Sequence, residues 1–157
     1  MGSRSKTELA YIAGFLDGDG SLMFQIKKRK DGNASRNRFM LTACFYQDTR
    51  HEKPLFWIRD VLRIGYISRR NDGMTELRIN GYKQIERIMK LLEPFIKFKK
   101  IQAKTLIKSS KILQKKNLEE SDLKKLVDNI ILIQRENYRT RKKRNKIELY
   151  SVLGLTP

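Results

Sequence analysis

Residues 21–29 alternate along the chain: Leu22, Phe24 and Ile26 fall on one side, and Met23, Gln25, Lys27 and Arg29 on the other. A period of two with one apolar side predicts a half-buried strand. Residues 38–46 repeat the pattern, with Phe39, Leu41, Ala43 and Phe45 inward and Arg38, Met40, Thr42 and Cys44 outward. The polar stretch 30–36 reads as the loop that joins them into a hairpin. In 54–64 the period changes to that of a helix, through Leu55, Ile58, Val61 and Leu62. Pro54 suits its first turn and Gly65 its stop. Residues 66–70 and 75–80 predict a second hairpin across Asn71-Asp72-Gly73. A second amphipathic helix follows at 82–93, through Ile85, Ile88, Met89 and Leu92, and Pro94 closes it.

Ahead of the first hairpin, residues 8–16 carry no helix breaker except Gly14. Asp17-Gly18-Asp19-Gly20 then stops the helix, with the glycines expected to leave it through positive φ. Two acids at this end face the negative pole of the helix, at a cost of about 0.3–1 kcal/mol each. A bound divalent cation is one compensation; a capped core helix with an acidic turn is the plain alternative. Beyond the second hairpin unit, 96–99 is short and alternating, and 100–113 is a lysine-rich helix. Asn117 to Glu120 reads as a capping box with Asn117 as the cap. The helix it opens places Leu123, Leu126, Val127, Ile130 and Ile131 on one face. A last short helix is expected at 147–153.

The order αββαββα, with further helices after it, predicts an α+β fold: one four-stranded antiparallel sheet with helices on one face. A single domain over 1–157 is expected, with its core at about 8–110 and a basic helical extension over 111–157.

Charge narrows the partner. Lys and Arg number 35 against 17 acids, a formal net charge of +18, so a polyanion is the leading class: DNA, RNA or, with less support, an anionic membrane. Charge alone leaves a generically basic protein open. Cys44 and His51 are the sole cysteine and histidine, which leaves no disulfide framework, no zinc cluster and few partners for Ser-His-Asp or Cys-His hydrolysis. No run approaches the roughly 18 apolar residues that span a bilayer, and no membrane partner is expected.

The outward face of the sheet would show Met23, Gln25, Lys27, Arg29, Arg38, Met40, Thr42, Cys44, Ser68, Arg70, Glu76 and Arg78. Arg grips guanine, Gln adenine, Glu accepts from cytosine, and Met or Cys touches a thymine methyl. A pure phosphate clamp has little use for that mixture. Arg36, in the first hairpin loop, and the basic run with Arg139 and Lys142 would contact phosphates. The plain alternative is a solvated sheet face. Asp19 meets the sparse requirement of Mg²⁺, which keeps positions for water and phosphate oxygens.

Ile12 to Gly20 (IAGFLDGDG) resembles the signature of the LAGLIDADG homing endonucleases; Ala13, Gly14, Asp17, Asp19 and Gly20 match it by identity. One copy is present, which resembles the single-motif, homodimeric branch. The resemblance implies that Asp19 and the Gly18 carbonyl bind Mg²⁺ or Mn²⁺, with two or three ions between the paired copies. It implies that Gln47 positions water and that Lys99 polarises solvent around the scissile phosphate. Where the family often has an arginine this chain has His51, a candidate for the third basic role, with a solvated residue ahead of a helix as the plain alternative. Asp17 caps or orients, and Ala13 and Gly14 pair the helices at the twofold axis. The implied activity is metal-dependent hydrolysis of a long, near-palindromic double-stranded DNA target, with a staggered double-strand break. The two rivals are an intron RNA maturase on the same fold and a non-catalytic packaging protein. An intron-encoded, intracellular protein is expected, in a mitochondrion or chloroplast if the host is eukaryotic.

Overall fold

A computed structural model describes residues 4–31, 34–138 and 142–156. Helix α1 (Lys6–Asp19) starts at a capping box: the Ser5 hydroxyl accepts from the Glu8 amide while the Glu8 carboxylate accepts from the Ser5 amide. Strands β1 (Gly20–Asp31) and β2 (Ala34–Asp48) form a hairpin longer than the alternation predicts. The expected loop 30–36 is mostly strand, because the ladder continues through Lys30↔Ser35 and Asp31↔Ala34. Helix α2 (Lys53–Leu62), strands β3 (Tyr66–Arg69) and β4 (Met74–Asn80), and helix α3 (Tyr82–Leu92) complete the second unit. Helices α4 (Lys100–Leu113), α5 (Glu120–Glu136) and α6 (Lys146–Leu153) follow. The sheet order is β1-β2-β4-β3, antiparallel throughout.

The inward residues of the alternation are the core. Leu22, Phe24, Ile26, Leu41, Ala43 and Phe45 are buried beside Leu77 and Ile79 of β4, under helices that all lie on this face. Leu126, Val127, Ile130, Ile133, Leu149 and Tyr150 join the same cluster, so α5 and α6 pack on the sheet unit. The Asn137 amide donates to the Leu22 carbonyl at 3.0 Å and the Asn37 amide to the Val152 carbonyl at 2.7 Å.

Several boundaries differ from the sequence expectation for local reasons. Gly20 leaves α1 in an extended conformation (φ −130°), not through positive φ. Its glycine is required by contact, since a Cβ there would stand 2.6 Å from Leu16 Cδ1 and 2.7 Å from the Leu16 carbonyl oxygen. Helix α2 ends at Arg63, which takes the left-handed turn itself (φ 54°) ahead of Gly65. The cap of α5 is Glu119, whose side chain pairs with the Asp122 amide in a capping box, and not Asn117. Residues 96–99 form no strand; the Asp17 carboxylate holds them instead.

Candidate active site and nucleic-acid interface

Asp17 and Asp19 part ways at the end of α1. The Asp17 carboxylate turns onto the chain ahead of α4 and accepts the amides of Lys97 (2.7 Å), Phe98 (3.2 Å) and Lys99 (3.0 Å). The Lys99 ammonium donates back to the Asp17 carbonyl at 2.5 Å. A carboxylate receiving several amides is charge-assisted, which offsets the unfavourable helix pole. Asp17 is therefore committed to the chain segment that carries Lys99. Asp19 is exposed, with no protein partner among the described contacts. Burial pushes Lys99 below the ordinary lysine range, while the charges of Asp17 and Asp19 oppose that shift; Lys99 thus lies within electrostatic reach of Asp19.

Register brings Gln47 to the same end of the molecule. Gly20 pairs with Phe45, so Gln47 lies two residues past the rung at which α1 passes into β1. Its side-chain carbonyl accepts the Asp48 amide at 2.9 Å. His51 is exposed in the short 3₁₀ turn Thr49–His51 that follows β2. That turn is capped by Asp48, whose carboxylate is held well below the usual range by hydrogen bonds from Arg50. Arg50 is committed to Asp48, and His51 has no hydrogen-bond partner among the described residues.

The residues present fit a sparse hard-cation site. Among the described residues no group of three or more His, Cys, Asp or Glu forms a cage, and Asp17 is committed to amides. One chain offers the free Asp19 carboxylate and the Gly18 carbonyl, one of the last helix carbonyls without an intrahelical partner. Mg²⁺ accepts such a set when waters and phosphate oxygens fill the rest.

The outer face of the sheet is ordered by cross-strand rows. Lys27 faces Arg38, and Gln25 faces Met40; of these only Met40 is not fully exposed. Arg36 is exposed on β2, opposite Arg29. The Arg29 side chain and all of Arg139 lie outside the described residues. Lys142 is exposed in the segment between α5 and α6. Met23, Ser68 and Arg78 are half-buried, and Arg70 is exposed.

Three residues expected on this face are not available as free contacts. Thr42 is buried and donates to the Asn80 side chain at 2.8 Å. Cys44 is 0% exposed, with its thiol on the Glu76 carboxylate at 3.7 Å, and burial pushes it up to about 11. Glu76 is 7% exposed and pairs with Arg78 at 3.1 Å and Arg70 at 4.0 Å. Cys44 lies between Ser21 and Arg78 in the ladder, and its thiol is surrounded by Glu76, Tyr46 and Arg78. Tyr46, Tyr66, Asn80 and Ser21 share the face and were missed by the sequence reading. Continuing the β2 alternation past Cys44 finds Tyr46, whose hydroxyl lies 3.0 Å from that of Ser21.

On α1, Ala13 is 0% exposed and belongs to the chain's own core, so it is not an interface residue. Leu9, Ile12, Ala13 and Leu16 form the inward stripe. The outward stripe is Ala10, Gly14 and Gly18, all exposed, with open space over both glycines. Tyr11 (57% exposed) and Phe98 (85% exposed) are exposed apolar side chains on α1 and on the segment that Asp17 holds.

Comparison with known proteins gives a consistent result. The sequence model of the LAGLIDADG endonuclease family matches residues 12–109. The chain is 30% identical over 106 residues to the DNA endonuclease I-CvuI of Chlorella vulgaris, covering 68% of this chain and 65% of that protein. It is 31% identical over 104 residues to the DNA endonuclease I-CreI of Chlamydomonas reinhardtii, covering 66% and 63%. The chain thus spans just under two thirds of the length of these relatives. A crystal structure of I-CvuI with the I-CreI target and 2 mM Mg, its DNA uncleaved, has the same fold: TM-score 0.79 at 23% identity, over 95% of this chain and 94% of that one. With the motif of α1, the family match and the shared fold in agreement, the chain belongs to the LAGLIDADG endonuclease family.

Proposed function

We propose that this protein is a homodimeric, site-specific DNA endonuclease that hydrolyses both strands of a long, near-palindromic target with Mg²⁺ or Mn²⁺. The observation that carries this reading is the end of α1. There an exposed Asp19 follows two residues after Asp17, which anchors a half-buried Lys99, at the edge of a sheet face lined with Gln25, Lys27, Arg36, Arg38 and Arg70. The named activity of I-CvuI and I-CreI and the DNA in the I-CvuI crystal support it.

Lys27, Arg36 and Arg38 would rest on phosphates and fix register, while Gln25, Met40, Arg70 and Arg78 face base edges in the major groove. Asp19 and the Gly18 carbonyl would hold the divalent ion. When bound, such an ion neutralises charge at the phosphate and makes a coordinated water more acidic. Gln47 orients the attacking water, and Lys99, kept near Asp19, donates to solvent around the scissile phosphate. His51 adds an imidazole at the rim of the site. Association through the Ala10–Gly14–Gly18 face of α1 would bring two Asp19 carboxylates together, one for each strand, and would cover Tyr11 and Phe98.

A randomised duplex library incubated with the protein in Mg²⁺, in parallel with Ca²⁺ and EDTA, tests the reading directly. One long, nearly palindromic motif should be cut in Mg²⁺ alone, and Asp19→Asn should bind that motif without cutting it. Binding without cleavage in Mg²⁺ or Mn²⁺ would overturn the endonuclease in favour of the maturase or packaging role.

A further inference from the structure

The turn that carries His51 is bolted to the second hairpin by a network on the helix side of the sheet. The Arg69 guanidinium donates to both Glu52 carboxylate oxygens, at 2.6 Å from Nη2 and 3.0 Å from Nε. The Thr75 hydroxyl donates to the same carboxylate at 2.7 Å and meets the Thr49 hydroxyl at 2.9 Å. The Thr49 amide donates to the Gly73 carbonyl at 2.9 Å. Thr75 is fully buried and is the ladder partner of Gln47. Glu52 therefore sits one residue from His51, and Thr75 links it to the strand position that holds Gln47.

The alternation of β3 makes this network a link between two surfaces. Arg69 points to the helix side and grips Glu52, while the next residue, Arg70, faces the outer side with Asp72 at 2.7 Å and Glu76 at 4.0 Å. Adjacent arginines thus straddle the hairpin, one toward the proposed DNA and one toward the proposed catalytic turn. A single exposed ion pair contributes little, but this carboxylate is mostly buried and accepts three donor groups, so its geometry is over-determined.

We propose that Glu52 is a positioning residue: it locks the β3–β4 hairpin to the 47–51 segment, so that seating Arg70 on DNA also sets Gln47 and His51 in place. The inference rests on the endonuclease reading. Glu52→Gln removes the charge that Arg69 grips and keeps an acceptor for Thr75. Arg69→Gln breaks the same pair from its exposed side and leaves the buried Thr75 contact intact.

Both variants and their double mutant are compared with wild type on the duplex recovered by the cleavage selection. Affinity is read in Ca²⁺ and the single-turnover rate in Mg²⁺ at saturating protein. Each variant should keep its dissociation constant within about threefold and cut about tenfold or more slowly, because misplaced groups cost rate more than binding. The double mutant should lose no more than either single one. Wild-type rates in both variants, or losses of affinity that account for the whole loss of rate, would overturn the proposal while leaving the endonuclease standing. A wild-type chain that binds and never cuts removes both, which separates the two failures. If Glu52→Gln unfolds, the exposed Arg69→Gln variant still decides.

Discussion

Asp17 and Asp19 are chemically identical and two positions apart, yet the structure gives them opposite tasks. Asp17 is committed to the amides of Lys97, Phe98 and Lys99, and Asp19 is left free. Asp17→Asn keeps one acceptor and loses the charge. It should destabilise the fold by about 1–3 kcal/mol, the range for a hydrogen-bonded ionised group, as measured by urea unfolding, and should also slow cleavage by releasing Lys99. An unchanged urea midpoint would mean the clamp adds no stability. Along the sequence both acids stand at the wrong pole of a helix, and only the family resemblance implied that Asp17 caps or orients; the sequence itself says no more. It held no sign of which amides Asp17 would meet, since they lie 80 or more positions away. Cys44 shows the converse: its outward parity is correct, but parity says nothing of the Glu76, Tyr46 and Arg78 side chains that surround it.

At the scale of the element, α1 carries two faces whose separation is purely angular. Adjacent residues of a helix point about 100° apart, so Ala13 enters the core while Gly14 faces outward. Pairing them as one interface was the error of the sequence reading. Gly14→Gln should leave the protomer's thermal stability unchanged or slightly raised, since glycine inside a helix costs about 1 kcal/mol relative to alanine and the space above Gly14 is open. The same substitution should shift the protein to monomer in analytical ultracentrifugation and abolish double-strand cutting. A dimer that survives Gly14→Gln would place the twofold contact on another surface. The strands extend further than their apolar pattern because backbone pairing continues wherever a partner strand exists, whatever the side chains. Hence β1 and β2 run into residues that composition alone marks as loop.

At the scale of the molecule, the charge of +18 is spread over the outer sheet face, the lysines about α4 and the exposed run Lys142–Arg144, while the helices cover the apolar side. Lys27→Ala should weaken binding evenly across DNA sequences and reduce the slope of log affinity against log salt by about one. Base preference should stay as in wild type; a change confined to one base position would instead make Lys27 a reader. The same experiment on Gln25 should leave the salt slope untouched and relax one position of the target.

Local order was legible along the chain because it depends on neighbours one to four residues apart. Alternation gave the strands and their inner and outer sides, helical spacing gave the core stripes, and the acid–glycine stretch closing α1 marked the candidate site. Tertiary structure alone decided the rest. Register set which outer residues are free, burying Thr42, Cys44 and Glu76 and adding Tyr46, Tyr66 and Asn80. Packing chose Gly14 over Ala13 for the open face of α1. Chain segments far apart in sequence met to anchor Lys99 on Asp17 and to tie Glu52 to Arg69 and Thr75. Such contacts depend on how strands and helices are laid against one another, and no periodicity within a single segment encodes that arrangement.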